Sequence, residues 1–285
     1  SSETMFVGTA IFENVGGSRK VSSISQSFKN NKLTKKVVSM SGIHVVEMHT
    51  KDELHQYLPS QKLIKIRNTA KPSFPTLFFG DSSNILKYYS LKVITEESVI
   101  AGLPTNGYEL SPKDNLRWGV KFWVDKDSGL LLKIEYINPN GVAVKRDYFV
   151  DIIINPNEKI DLKNPFPDSK TWRSLYISRF NKNQPNQLSI EPVLGFKLVS
   201  CFDTKFNQIE NTRFEKNHCM FSDGVATISL VSFSNQRPDV YFAKKLLTRG
   251  CSSYKSGLIS NRSVSTFGCV PKQTIQYFFN NSIVE

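Results

Sequence analysis

The chain lacks the sequence signatures of the common classes of enzyme. It has no Gly-x-Gly-x-x-Gly fingerprint and no Gly-Lys-Ser/Thr loop, so it has no phosphate-cradling turn of the usual kind. A Gly-x-Ser-x-Gly nucleophile elbow is absent as well. No stretch approaches the roughly 20 apolar residues that a membrane-spanning helix needs, and no signal peptide is visible.

The remaining polar candidates fit structural roles better than chemistry. His44, His49 and His55 lack the i, i+4 spacing of helical zinc sites, and His218 lies far from them. Asp125 and Asp127 resemble paired catalytic carboxylates, but Asp-Lys-Asp-Ser-Gly is typical of a turn. The sequence therefore predicts a binding protein that is not an enzyme and that uses neither a metal nor another cofactor.

Positive charge is the most prominent compositional feature. The 285 residues include 37 Lys and Arg against 25 Asp and Glu, which gives a net charge of +12. Such a surface suits nucleic acid, anionic lipid or an acidic protein, and it also suits simple solubility. Because no ribonucleoprotein motif or basic tail is present, we predict no nucleic-acid partner.

The four cysteines all lie in the last third of the chain and have no Cys-x-x-Cys spacing. Their even number favours two disulfides and an oxidising compartment, although four buried thiols are the alternative. Four cysteines allow three pairings. Two predicted hairpins would place Cys201 beside Cys219 and Cys251 beside Cys269, so these pairs are our hypothesis.

Alternation of apolar and polar residues predicts β structure through most of the first half. It is clearest over Leu116–Val124, which continues through a turn at Asp125–Gly129 into Leu130–Ile137 and then Val142–Ile154. Separate strands are also predicted at Tyr89–Thr95, Glu97–Leu103 and Thr105–Ser111. The segment Phe74–Leu86 should be irregular, with a short helix near Ser83–Tyr88.

Polar, proline-rich stretches after residue 154 predict a domain boundary. We expect a first domain over 1–160, a linker over 161–187 and a smaller α+β domain over 188–285. Within the second domain, Pro238–Thr248 is predicted to form a short helix, and Pro271 should open a terminal helix.

Several stretches resemble the RseB/MucB family. The central one, 100–133, contains Pro-Lys-Asp-Asn-Leu-Arg-Trp-Gly, then Trp-Val-Asp and Gly-Leu-Leu-Leu-Lys. Shorter similarities are Phe74–Phe78, Leu86–Tyr89, Leu194–Phe196, Phe221–Val225 and Gly268–Pro271. Here Ser25–Phe28 replaces the basic His-Arg step that the family usually carries.

The resemblance implies a mainly β, α+β fold: a curved, half-open β-barrel like that of LolA and LolB, with helices in its concave face, and a second domain. It implies a periplasmic negative regulator of the sigma-E type of envelope-stress response. Such a protein binds the periplasmic part of an RseA/MucA-type anti-sigma factor, shields it from proteolysis and is released by lipopolysaccharide or lipid. The family begins with a helix, so a leader and first helix are expected to precede Ser1. A homodimer is left open.

Two sets of candidate site residues follow. For a lipid groove we expect the apolar residues Phe12, Leu77, Phe78, Tyr89, Leu116, Trp118, Val120 and Phe122, unless they simply fill a closed core. For the partner surface we expect the basic residues Lys244, Lys245, Arg249 and Arg262, unless they form a solvated helix face. The rival function is a lipid or lipoprotein carrier. An enzyme on a lipocalin-like sheet would need polar groups in its pocket.

Overall fold

The structure is a computed structural model that describes residues 4–29, 32–50, 53–67, 73–79, 81, 83–179, 188–190, 195–207, 213–233, 246–260 and 262–284. These residues are mainly in β-strands, and their α-helices are α1 (Ile85–Tyr88) and α2 (Lys272–Asn280). No helix in this described part is long and apolar enough to cross a membrane.

The first part of the chain forms an antiparallel sheet. Its strands are β1 (Phe6–Asn14), β2 (Arg19–Lys29), β3 (Lys32–Ser39), β4 (Val46–His49), β5 (Leu54–Leu58), β6 (Leu63–Arg67), β7 (Tyr89–Ile100), β8 (Leu103–Pro112), β9 (Gly119–Asp125), β10 (Leu131–Ile137) and β11 (Ala143–Ile154). Their order across the sheet is β7-β8-β9-β10-β11-β1-β2-β3-β4-β5-β6.

The predicted meander of β9, β10 and β11 is confirmed. Ser128 N donates to Asp125 Oδ2 at 2.8 Å in the first turn. Gly129 and Gly141 take positive φ values of 67° and 79° in the two turns, a conformation that glycine adopts without steric cost. Turn chemistry and period-two alternation therefore agree in this segment.

The sheet is curved and does not close, as the half-open barrel prediction requires. Among the described strands, β7 pairs only with β8, so its other edge is open. One face, which we call the inner face, carries the core side chains such as Phe6, Ala10 and Phe149. Phe74 from the segment Ser73–Phe79 packs there with its ring 4.9 Å from that of Phe149, and α1 follows.

The second part of the chain builds a smaller sheet beside α2. Its strands are β12 (Arg173–Arg179), β13 (Leu188–Ile190), β14 (Lys197–Asn207), β15 (Arg213–Ser222), β16 (Thr227–Phe233), β17 (Leu247–Arg249), β18 (Ser252–Ile259), β19 (Arg262–Gly268) and β20 (Ser282–Val284). The order is β12-β14-β15-β16-β19-β18-β17, while β13 pairs with β20. Ile275 and Phe278 of α2 are fully buried in the core of this sheet.

Strand β12 connects the two sheets by hydrogen bonds. It pairs in parallel with β6 through Arg173–Ile177, and its last residues pair with β14. The segment 161–187, predicted to be a linker, therefore includes a sheet strand; residues 180–187 lie outside the described part.

Three predicted elements need correction. Glu97–Leu103 is not a separate strand, because β7 continues through an irregularity between Ile94 and Ser98 to Ile100. Strand β9 begins at Gly119 rather than Leu116, because Leu116 and Trp118 form hydrogen bonds to Thr274 of α2 and to Cys251 instead. Leu247–Arg249 is a strand paired with β18 and not the end of a helix; 238–245 lie outside the described residues.

Both predicted disulfides are confirmed. Cys201 is bonded to Cys219 across β14 and β15, and Cys251 is bonded to Cys269. Each pair is separated by 18 residues in the sequence. All four cysteines are thereby accounted for.

Candidate functional site

A cavity of about 340 Å³ lies between the inner face of the first sheet and the second sheet. Phe12, Phe74 and Leu77 line it from the first part of the chain. Val225 and Phe267 line it from the second part, beside the Cys251–Cys269 disulfide. A volume of this size is within the range of small-molecule pockets, so this cavity is our candidate binding site.

An ion pair lies in the wall of this cavity. Lys145 Nζ is 2.5 Å from Asp147 Oδ2, and the Asp147 side chain is only 7% exposed. Because residues two apart in a strand share a face, both point to the inner side with Phe149. Burial raises the pKa of the Asp147 carboxyl, and the neighbouring Lys145 opposes that rise. Asp147 Oδ1 has no hydrogen-bond partner among the described residues.

A second, fully buried ion pair holds the two parts of the chain together. Arg117 Nε donates to Asp223 Oδ2 at 2.6 Å, and both side chains have no exposed surface. Arg117 also pairs with Asp114. Tyr89 Oη donates to Asp223 Oδ2 at 3.1 Å, and burial raises the pKa of Tyr89, which keeps this donor protonated. Charged groups buried in this way fix the relative position of the elements that carry them, because separating them would leave charge unpaired.

Aromatic rings enclose the Arg117 guanidinium. Its Cζ atom lies 4.5 Å from the centroid of Tyr88 and 4.9 Å from that of Phe196. Gly195, at φ +90°, allows the close approach, since a Cβ there would lie 2.4 Å from the Tyr88 ring. The stack is a cation–π arrangement that joins α1 to the residue before β14 of the second sheet.

The contact between the two parts of the chain around Arg117 and Asp223, which we call the junction, is extended by further hydrogen bonds. Phe79 N donates to Gly224 O at 2.9 Å, and Ser222 Oγ donates to Phe79 O at 2.9 Å. Trp118 Nε1 donates to Cys251 O at 2.8 Å. The described residues Ser73–Phe79 thus contact both parts of the chain, through Phe74 on the first and Phe79 on the second.

The structure brings five of the predicted groove residues together, since Tyr89, Val120 and Phe122 belong to one core cluster and Phe12 and Leu77 pack against it. Phe12 and Leu77 line the cavity. Val120 and Phe122 are buried in the first core, and Phe78 is 46% exposed with its ring 6.5 Å from that of Phe122. The remaining three lie at the junction: Tyr89, Trp118 and Leu116, whose carbonyl accepts a bond from Thr274 Oγ1 at 2.6 Å.

The predicted basic partner surface is only partly described. Lys244 and Lys245 lie outside the described residues. Arg249 is exposed and lies opposite Ser252 in the pairing of β17 with β18. Arg262 lies opposite Ile259 in the pairing of β19 with β18, at the other end of β18. The two ends of β18 are seven residues and therefore roughly 20 Å apart, so Arg249 and Arg262 cannot bind the same small group.

Sequence reasoning missed the charged residues at both sites. Lys145 and Asp147 share a face with Phe149 by period two, and that signal could have placed them inside. Arg117 and Asp223 are 106 residues apart, and no local pattern pairs them. The sequence marks these two residues only in that Arg117 lies in 100–133 and Asp223 in Phe221–Val225, two stretches that resemble the RseB/MucB family.

Lys35 binds the segment Ser73–Phe79, which packs on the inner face of the first sheet. Its Nζ donates to Ser73 Oγ at 2.7 Å, and burial lowers the pKa of Lys35 to about 8, a change that Glu47 opposes. The unfolded chain keeps a proton on Lys35 up to about pH 10.5, while the folded chain loses it near 8, so the unfolding free energy rises with pH between them.

Replacing Lys35 with methionine should remove that dependence. Between pH 8 and 10.5 the unfolding free energy of the wild type should rise by up to roughly 3 kcal/mol more than that of Lys35→Met. Denaturant unfolding at several pH values measures this difference. Lys36→Met removes a lysine from the opposite face of β3 and should keep the wild-type profile. Parallel profiles for wild type and Lys35→Met would contradict the burial of this ammonium group.

Comparisons with known proteins give a consistent result. Residues 1–170 match the model of the MucB/RseB N-terminal domain. The sigma factor AlgU regulatory protein MucB of Pseudomonas aeruginosa is 32% identical over 72 residues, which are 25% of this chain and 22% of that protein. That alignment therefore spans less than a quarter of this curated relative.

Two solved structures share the fold over the whole chain. The crystal structure of MucB in complex with MucA(peri) matches with a TM-score of 0.70 at 18% identity, covering 100% of this chain and 94% of that one. The complex structure of Pseudomonas aeruginosa MucA/MucB matches with a TM-score of 0.72, the same identity and the same coverage. At this identity the likeness concerns the fold.

Proposed function

The chain belongs to the MucB/RseB family, and on that ground we propose that it is a periplasmic regulator that binds the periplasmic part of an RseA/MucA-type anti-sigma factor. The observation that carries the proposal is the match of the entire chain, both sheets included, to the fold of MucB solved with MucA(peri). The two disulfides agree with an oxidising compartment.

Regulation would follow from linkage between two ligands. The bound chain shields the anti-sigma factor from the protease that starts the stress response, and lipopolysaccharide or another lipid releases it. A lipid that prefers the free form weakens partner binding by the same factor by which the partner weakens lipid binding. A tenfold effect needs only about 1.4 kcal/mol.

The junction around Arg117 and Asp223 is the element through which we expect this coupling to pass. It lies beside the cavity and joins both sheets, so a ligand in the cavity contacts elements on each side. The function we propose is binding without catalysis. A hydrolytic or transfer activity that stays with the purified chain would contradict it.

A cleavage assay tests the shielding directly. The periplasmic part of the same organism's anti-sigma factor is incubated with its first protease, with the chain in excess or with serum albumin as the control. We expect the chain alone to slow cleavage and lipopolysaccharide to restore it. Unchanged cleavage, together with stable uptake of lipid by the chain, would favour the lipid or lipoprotein carrier.

A further inference from the structure

We infer that a pocket on the outer face of the first sheet binds the phosphate monoester of an anionic lipid, with Lys29, Lys32 and Lys159 around the phosphate. The pocket measures about 450 Å³ and shares no described lining residue with the cavity between the sheets. The inference rests on the proposed function only for the biological source of such a lipid. Its test uses the chain alone, so its failure would leave binding to the anti-sigma factor standing.

The first observation is a pair of like charges where β2 ends and β3 begins. Lys29 lies directly opposite Lys32 in the ladder of these strands, and both exposed side chains line the pocket. Gln26 lies opposite Phe6 of the inner face, so alternation places both lysines on the outer face. In the described part of the chain, the ion pairs of lysines lie elsewhere. Like charges directly opposite each other destabilise a sheet, and an anion between them would remove that cost.

The third lysine comes from the segment 155–163, which follows β11. Lys159 is exposed and lines the pocket from the side of this segment. Both ends of the segment are held in place. Asn155 N donates to Met5 O at 2.8 Å, and Lys36 Nζ donates to the carbonyl of the last residue at 3.1 Å. The three ammonium groups therefore surround a pocket whose walls are positioned before a ligand binds.

The charge of the pocket selects the type of anion. Three lysines and one acid, Glu158, line it, which gives a net charge of +2. A phosphate monoester carries about −1.5 to −2 at pH 7 and has three strong acceptor oxygens. A carboxylate or a phosphate diester carries a single negative charge and would leave part of the positive charge unbalanced. A monoester therefore matches the pocket best, and lysine is a common ligand of phosphate.

The apolar part of the lining indicates that the phosphate belongs to a lipid. Met5, Ile160 and Leu162 line the same pocket, and all three are partly buried. Free phosphate would leave this apolar surface in water, whereas the first carbons of an acyl chain would cover it and gain free energy by their own burial. The lipid portion of lipopolysaccharide, which carries phosphate, is one source of this chemistry.

Matched ligands test the headgroup. Dihexanoyl phosphatidic acid, dihexanoyl phosphatidylcholine and inorganic phosphate are titrated into the wild-type chain by calorimetry, below the micelle concentrations. Salt at about 0.15 M screens charges more than about 8 Å apart. We expect phosphatidic acid to bind about tenfold or more tightly than either of the others. Equally tight binding of phosphatidylcholine would overturn the assignment of a monoester, and equally tight binding of inorganic phosphate would overturn that of a lipid.

Variants locate the site. Lys29→Gln/Lys32→Gln removes a like-charge pair from an exposed position, so the fold should persist, and affinity for phosphatidic acid should fall about tenfold or more. Lys92→Gln/Lys126→Gln removes two exposed lysines outside the pocket and should keep the wild-type affinity. Both double variants lower the net charge by two, from +12 to +10, so general attraction of anions changes equally. Equal affinities of the two variants, or no binding of phosphatidic acid to the wild type, would overturn the proposal.

Discussion

Replacing Asp223 with alanine should lower the free energy of unfolding by about 3–5 kcal/mol, the largest effect that we expect from a single substitution. Asp223 Oδ2 accepts bonds from Arg117 and Tyr89, and its Oδ1 accepts bonds from the backbone of Val225 and Ala226. Alanine removes all four of these hydrogen bonds. It also removes the buried one of the two carboxylates that pair with Arg117. Denaturant unfolding measures the loss.

Two further variants distinguish buried charge from general damage. Arg117→Met/Asp223→Ala removes both charges, and methionine can fill the space between Tyr88 and Phe196, so this double variant should be more stable than Asp223→Ala. Lys197→Met breaks the exposed ion pair with Asp81, which spans the same two parts of the chain at 2.6 Å, and should change stability little. A similar loss in all three variants would contradict a special role of the buried pair.

Removal of either disulfide should cost about 3 kcal/mol, since a closed loop of this length restricts the unfolded chain by that amount. The two bonds are a matched pair, because both span 18 residues. Their local roles differ. Cys251 and Cys269 line the cavity, and the carbonyl of Cys251 accepts the bond from Trp118 Nε1, whereas Cys201 and Cys219 lie within the second sheet.

The expected result is therefore similar loss of stability but different local change. Cys251→Ala/Cys269→Ala should speed hydrogen exchange at the Trp118 indole N–H, observed by NMR. Cys201→Ala/Cys219→Ala should leave that exchange rate as it is in the wild type. Equal exchange rates in the two variants would mean that the junction does not depend on the disulfide beside it.

Local patterns predicted the fold where contacts are local. The meander from Gly119 to Ile154 joins neighbouring strands through short turns, so alternation and turn residues determine it together. The same alternation was misleading at Leu116 and Trp118, which continue the pattern in sequence but form hydrogen bonds to Thr274 of α2 and to Cys251 in the second part of the chain. Local pattern also cannot show that β12 pairs in parallel with β6, since more than a hundred residues separate them.

The candidate site was predictable only in part for the same reason. Phe12 and Leu77 were predicted as apolar groove residues, and they line the cavity. The charged groups that distinguish it from a plain core, Lys145 and Asp147, are recognisable only once the inner face of β11 is known. The pairing of Arg117 with Asp223 needs the complete chain, because tertiary structure alone brings those residues together.

Binding to the anti-sigma factor is the central claim, and a calorimetric titration tests it most directly. The chain is titrated with the periplasmic part of the same organism's RseA/MucA-type anti-sigma factor, without and with lipopolysaccharide. We expect saturable binding that lipopolysaccharide weakens at least tenfold, which corresponds to about 1.4 kcal/mol. No binding heat at any partner concentration, or an affinity that lipopolysaccharide does not change, would contradict the account of this chain as a lipid-released regulator.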